Sequence, residues 1–102
     1  MTGDGPDLLA RGRELLAQGA LTDALVLFHE AYERALSTGD SHARALAMLG
    51  RARATFGLGR LAEAARDAGA ARDMLAGPDP VEARHAADLV AQIDHHRWVD
   101  KQ

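Results

Sequence analysis

The sequence predicts an all-α fold of five helices, arranged as two antiparallel helical hairpins followed by a closing helix. Ala occurs 22 times and Leu 14 times among the 102 residues, and both residue types favour helices. Apolar residues recur at spacings of three and four along most of the chain. Gly and Pro stand between these apolar stretches, where they mark turns. The length suits one domain, so we predict that residues 1–102 form a single domain.

The first hairpin is predicted over about residues 7–37. Its first helix begins near Pro6, carries a stripe of leucines, and ends at Gly19. Its second helix begins at Ala20 or Thr22 and ends where a Ser-Thr-Gly-Asp turn interrupts the apolar stripe.

The second hairpin is predicted over about residues 41–76, with helices at residues 41–56 and 60–75. The Gly-Leu-Gly run between these two helices predicts the break. A closing helix is predicted at residues 80–98, because Asp79 can cap its first turn and Pro suits the first helical position.

The two predicted hairpins are similar to each other at an offset of 40 residues. The aligned pairs are Leu8 with Met48, Gly12 with Ala52, Leu16 with Phe56, Gly19 with Gly59, Leu21 with Leu61, Ala24 with Ala64, Phe28 with Ala68, and Ala31 with Ala71. A repeat of this length is typical of stacked helical hairpins.

These residues resemble the tetratricopeptide repeat family over about residues 7–76. Gly19, Ala24, Phe28 and Ala31 match its turn and second-helix positions, and Gly12 matches the small residue of its first helix. The resemblance implies a right-handed α-solenoid whose small residues allow close helix packing around Phe28. The closing helix would then cap the array.

The chain also departs from the family's pattern. Leu8 and Met48 stand where the family prefers Trp, Arg11 and Arg51 stand where it prefers Leu, and Ala68 replaces an aromatic residue. The period of 40 exceeds the family's usual 34 or so. Armadillo-like or HEAT-like helix pairs and a plain five-helix bundle therefore remain alternatives.

Composition narrows the class of function. The net charge of −3 lacks the basic surplus of a nucleic-acid-binding protein. The chain contains no cysteine, so it has no disulfide and no thiolate metal site. No apolar run approaches the roughly 20 residues that span a membrane, and the N-terminal residues do not resemble a signal peptide. We therefore expect a cytoplasmic protein that binds neither nucleic acid nor membrane.

No motif predicts catalysis or a cofactor. Residues 57–62 match the dinucleotide fingerprint G-x-G-x-x-A, but that motif needs a preceding strand and here follows a helical pattern. His29-Glu30 begins the metalloprotease motif H-E-x-x-H, but Glu33 stands where the second His is required. The carboxylates Asp67 and Asp73 are interpreted as part of a mixed, solvated helix surface. We expect no enzyme activity and no catalytic residues.

The closing helix carries His85, His95 and His96. His85 and His96 would lie about 16 Å apart along the helix axis, too far to share one ion. His96 and Asp100 could chelate at i, i+4, but two ligands do not complete a closed site, so no metal site is predicted. A small-ligand or metal-binding role for this helix is the least favoured of three hypotheses.

The leading hypothesis is a protein- or peptide-binding adaptor. First helices line the concave groove of tetratricopeptide arrays, so the resemblance implies that Arg13 and Arg53 face one groove and could hold a carboxylate. The predicted groove residues are Leu9, Arg13, Leu16, Leu49, Arg53 and Phe56. The family's carboxylate clamp uses Lys and Asn, which this chain lacks at the matching positions. Ordinary solvated or ion-paired arginines are the alternative interpretation.

The remaining hypothesis is a self-associating scaffold. Trp98 is the only Trp and lies near the end of the closing helix, and Trp is enriched at interface hot spots. A two-hairpin array leaves one end open, so a homodimer is a plausible assembly.

Overall fold

The computed structural model describes residues 4–101, and every regular element in that range is an α-helix. The five helices are α1 (Asp4–Ala17), α2 (Leu21–Thr38), α3 (Ser41–Gly57), α4 (Leu61–Leu75) and α5 (Pro80–Asp100). The predicted all-α class and the five helices are confirmed. The largest differences are at the two chain ends, where α1 begins and α5 ends about two residues further out than predicted.

Matching turns end the first helix of each hairpin. Gly19 and Gly59 both have left-handed backbones, with φ of 77° and 81°, a conformation that glycine adopts without steric cost. The backbone N–H that follows each glycine donates a hydrogen bond to a carbonyl in the last turn of the helix. Ala20 donates to the Leu15 carbonyl at 2.9 Å, and Arg60 donates to the Thr55 carbonyl at 2.8 Å. These bonds satisfy carbonyls that a helix end would otherwise leave unpaired.

Aspartates begin α3 and α5. The Asp40 carboxylate accepts a hydrogen bond from the Ala43 backbone N–H at 2.9 Å. Asp79 likewise accepts from the Glu82 backbone N–H at 3.2 Å, and Pro80 occupies the first position of α5. The cap predicted for the closing helix is therefore confirmed.

The helices pack in chain order, each against the next. In addition, α3 packs against both α1 and α5, whereas no Cα atoms of α2 and α4 lie within 8 Å of each other in the described residues. The three odd-numbered helices therefore lie side by side, with α2 and α4 packed on the gaps between them. The molecule is elongated as a result, with principal extents of 50 × 31 × 20 Å. The handedness of this arrangement remains a prediction from the resemblance.

The apolar interior consists of two clusters that meet at α3. One joins α1, α2 and α3, and its buried members are Leu8, Leu9, Ala24, Phe28, Ala31 and Ala47. The other joins α3, α4 and α5, and its buried members are Ala45, Leu49, Ala52, Ala64, Ala68, Ala71, Leu75, Ala86, Leu89 and Ile93. Because so many of these residues are alanines, the helices can approach closely with few large side chains.

The Phe28 ring is fully buried between α1 and α3. A Cβ atom added to Gly12 would lie 2.8 Å from this ring, and one added to Gly50 would lie 2.3 Å from it. The predicted packing of Phe28 against Gly12 is confirmed, whereas the closer approach of Gly50 was not predicted. A glycine inside a helix lowers stability by up to about 1 kcal/mol relative to Ala. A glycine within a predicted helix is therefore the sequence signal that could have indicated a close approach at Gly50.

Within residues 4–101, no helix combines the length and the apolar character needed to cross a membrane.

Candidate functional site

The helices α1, α3 and α5 bring Arg13, Arg53 and Glu82 together on one side of the molecule. We call this side the three-helix face and define it by these residues together with Phe56 and His85. An Arg13 Nη2 atom lies 3.5 Å from Glu82 Oε2. Arg53 lies close enough to both side chains for their charges to affect its pKa. The two arginines predicted to share a groove are therefore neighbours.

Arg53 is half-buried, and this burial lowers the pKa of its guanidinium. The nearby Arg13 lowers that pKa further, whereas the carboxylate of Glu82 raises it. An arginine stays protonated in proteins even so. Arg53 therefore carries a partly desolvated positive charge, which attracts a carboxylate more strongly than a fully solvated charge does.

A depression of about 340 Å³ opens between α3 and α5 beside this charge cluster. The residues that line it are Arg53, Phe56, His85, Asp88, Leu89 and Gln92. Phe56 is half-buried, and its ring meets the His96 ring edge-on with centroids 5.0 Å apart. The depression thus combines a cation, amide and carboxylate groups, and an apolar floor.

Two of the predicted groove residues do not belong to this surface. Leu49 is only 1% exposed and Leu9 only 8% exposed, because both side chains belong to the apolar clusters. Their placement in the groove is corrected on this ground: they pack the helices together and present almost no surface to a partner. Leu16 is half-buried against the Phe28 cluster, so Arg13, Arg53 and Phe56 are the predicted residues that the face retains.

The histidines of α5 have local partners. His85 Nδ1 lies 2.5 Å from Glu82 Oε1. His96 Nδ1 lies 3.0 Å from the Gln92 carbonyl oxygen, a hydrogen bond that requires the proton on Nδ1. Within the part of the chain that the structure describes, no three His, Cys, Asp or Glu side chains are grouped as metal ligands would be.

A second polar cluster lies on the opposite side of α3, in the cleft that separates α2 from α4. Arg51 donates two hydrogen bonds to Asp67, from Nε to Oδ2 at 2.8 Å and from Nη2 to Oδ1 at 3.0 Å. Its guanidinium carbon also lies 4.3 Å from the centroid of the Tyr32 ring, and its Nη1 donates to His29 Nδ1 at 3.2 Å. The hydrogen bond to Asp67 raises the pKa of Arg51. Arg51 therefore links α2 and α4, although no Cα atoms of these two helices lie within 8 Å of each other in the described residues.

The interpretation of Asp67 as a solvated surface residue was wrong, because the residue is only 5% exposed. Asp67 lies three residues after Ala64 and four before Ala71, so it belongs to the buried stripe of α4. Its spacing from these two alanines is the sequence signal from which the burial of Asp67 could have been predicted. Asp73 is exposed, as predicted.

Exposed apolar side chains occur at the end of α5. Trp98 is 61% exposed, and its neighbour Val99 is also exposed. All described residues after Ile93 are exposed, although the His96 ring contacts Phe56.

Comparison of the chain with family models, with curated proteins and with solved structures gives no match.

Proposed function

We propose that this chain is a non-enzymatic binding module of the tetratricopeptide type, which docks an acidic segment of another protein on the three-helix face. The observation that carries the proposal is the ion pair of Arg13 with the Glu82 carboxylate, next to a depression that Arg53 lines together with His85, the other partner of Glu82. This arrangement already accommodates one carboxylate, the group that we expect a partner to supply.

The fold gives independent support. Equivalent left-handed turns at Gly19 and Gly59 agree with the 40-residue repeat of the sequence. The contacts of α3 with both α1 and α5 are the pattern expected of stacked helical hairpins. In such stacks the helices of one layer present a continuous surface that binds extended segments.

The chemistry of the face favours a segment with both acidic and apolar residues. Arg can hold a carboxylate with two parallel hydrogen bonds. Phe56 and Leu89 give the adjoining depression an apolar floor that an aliphatic side chain could cover. Because Leu89 is itself buried, most of the exposed apolar contact would come from Phe56.

The proposal is tested by selecting binders from a random peptide display library. The wild-type chain is compared with Arg13→Gln/Arg53→Gln and with the control Arg11→Gln/Arg84→Gln, which removes the same charge from exposed positions on α1 and α5. We expect enriched peptides to contain Asp or Glu, to bind wild type and control equally, and to bind the Arg13/Arg53 variant at least tenfold more weakly, because each charged hydrogen bond is worth about 1.5–3 kcal/mol. Equal binding to all three folded proteins, or no enrichment, would contradict the proposal.

We also propose a cytoplasmic location, which is supported by the cysteine-free composition.

Self-association through the end of α5 is a second candidate function, favoured by the exposure of Trp98 and Val99. Light scattering together with Trp98 fluorescence across a dilution series separates the two candidates. A dimer whose dissociation shifts the Trp98 emission would make assembly the leading function. A monomer with constant emission would leave the three-helix face as the candidate.

A further inference from the structure

The contact between Arg13 and Glu82 joins the first and last helices across the whole three-helix face. No Cα atom of α1 lies within 8 Å of a Cα atom of α5 in the described residues. The two helices are nevertheless linked by this ion pair. Arg53 of α3 lines the same depression as His85, which contacts Glu82.

The Glu82 carboxylate is held in place by its surroundings. Glu82 lies in the first turn of α5, and its backbone N–H donates a hydrogen bond to the Asp79 carboxylate. One side-chain oxygen is paired with His85 and the other with Arg13. Its side chain is only 21% exposed. A carboxylate of the chain itself is therefore already paired with Arg13, one of the two arginines that an incoming carboxylate would meet.

We infer that Glu82 is an internal competitor of the partner: its carboxylate is paired with Arg13, and an acidic side chain of the bound segment displaces it from that arginine. This inference rests on the proposed function, since it names the group with which the partner competes. Displacement would also release an ion pair that links α1 to α5, so occupation of the site and the spacing of the outer helices would be coupled.

The competition is expected to be mild. Arg13 is 48% exposed, and exposed ion pairs are worth little in water. Replacing Glu82 by Gln should therefore tighten carboxylate binding by about two- to fivefold. Competition of this size would weaken the binding of the partner's carboxylate without preventing it.

The test is a titration of the free protein with a carboxylate ligand. Binding is monitored through the NMR resonances of the arginine Nε–Hε groups. The probe is glutarate, a dicarboxylate, added to wild type, to Glu82→Gln and to Glu63→Gln. Glu63 is the matched control because it is the third residue of α4, as Glu82 is of α5, and lies away from the three-helix face. We expect glutarate to shift the Arg13 and Arg53 resonances in all three proteins, with two- to fivefold tighter binding in Glu82→Gln alone.

A second arm distinguishes a peptide from a free small molecule. The peptide acetyl-Glu-Leu-Leu-Glu-amide carries the same two carboxylates with apolar side chains between them. Tighter binding of the peptide than of glutarate would support a protein segment as the ligand. Equal or weaker binding would overturn that assignment.

Equal glutarate affinity in wild type and Glu82→Gln, or resonances of Arg13 and Arg53 that never move, would overturn the competitor role. The two failures are separable. A display library without binders would count against the proposed function, whereas the glutarate titration alone decides whether Glu82 competes for the arginines.

Discussion

Arg51 of α3 and Asp67 of α4 form a bidentate ion pair with N–O distances of 2.8 and 3.0 Å, in a cleft where most of both side chains is shielded from water. No Cα atoms of α2 and α4 lie within 8 Å of each other in the described residues. The Arg51 guanidinium, which also stacks on Tyr32 of α2, spans the gap between these helices. The first hairpin is thereby fastened to the second by polar contacts as well as by the apolar core.

We expect Arg51→Met to lower the free energy of unfolding by about 2–3 kcal/mol, because it leaves the Asp67 carboxylate buried without a counter-charge. The double variant Arg51→Met/Asp67→Leu should recover most of this loss, since no buried charge remains. Urea unfolding followed by circular dichroism measures both. Arg72→Met, at an exposed pair with Asp73, is the control and should change stability by less than about 1 kcal/mol. A double variant no more stable than the single one would refute this account.

We expect Gly50→Ala to destabilise the fold by about 1–3 kcal/mol, because its new methyl group would collide with the buried Phe28 ring. Gly69→Ala is the matched control inside α4, where nothing lies within 4 Å of the added Cβ atom. It should stabilise the chain by about 0.5–1 kcal/mol through its better helix propensity. Equal shifts of the two urea midpoints would show that α1 and α3 do not pack tightly around Phe28.

We expect Leu49→Ala to cost about 2–5 kcal/mol, the range for a buried leucine whose removal leaves a cavity. Leu36→Ala, at a half-exposed position on α2, should cost less than about 1 kcal/mol. Thermal unfolding of the two variants measures both costs. The comparison tests whether Leu49 belongs to the core rather than to the groove. A small loss of stability in Leu49→Ala would contradict the assignment of Leu49 to the core and would favour a role in partner binding.

The stability should depend on Asp79 at acid pH. His42 Nε2 donates to this carboxylate at 2.8 Å, and this bond, together with the Glu82 backbone N–H, lowers the pKa of Asp79. A lowered pKa means that the stabilising contribution is complete above the ordinary carboxyl value of about 3.9, and is lost as the pH falls through the lower value of the folded chain. We expect Asp79→Asn to be less stable than wild type at pH 6 and to converge with it at strongly acid pH.

The carboxyl resonance of Asp79 gives a direct measurement of this effect. In His42→Ala its titration midpoint should move up towards the ordinary value, because the largest cause of the shift has been removed. His95→Ala, at an exposed position on α5, is the control and should leave that midpoint unchanged. An unmoved midpoint in His42→Ala would contradict the assignment of the shift to His42.

The helices and their ends could be predicted because they depend on local chemistry. Gly19 and Gly59 end helices through a backbone conformation that other residues adopt at a cost, and Asp79 caps α5 through a bond three residues away. These interactions lie within a few residues of each other along the chain. They require no knowledge of how the helices pack.

The candidate site was predicted only in part. The 40-residue repeat and the family resemblance placed Arg13 and Arg53 on one face, and the structure brings them together. The pairing of Glu82 with Arg13 was not predicted, because nothing local relates position 82 to position 13. The pair of Arg51 and Asp67 was missed for the same reason, with the partners on different helices.

The sequence by itself determined the five helices, their turns and their caps, since hydrophobic period, glycine and capping aspartate act over distances of one or two turns. The tertiary structure alone decided which charges meet, which leucines are buried and which glycines face an aromatic ring. Those outcomes depend on the rotation and separation of whole helices. They are set by the packing of α3 between its neighbours, a balance among many contacts that no single stretch of sequence contains.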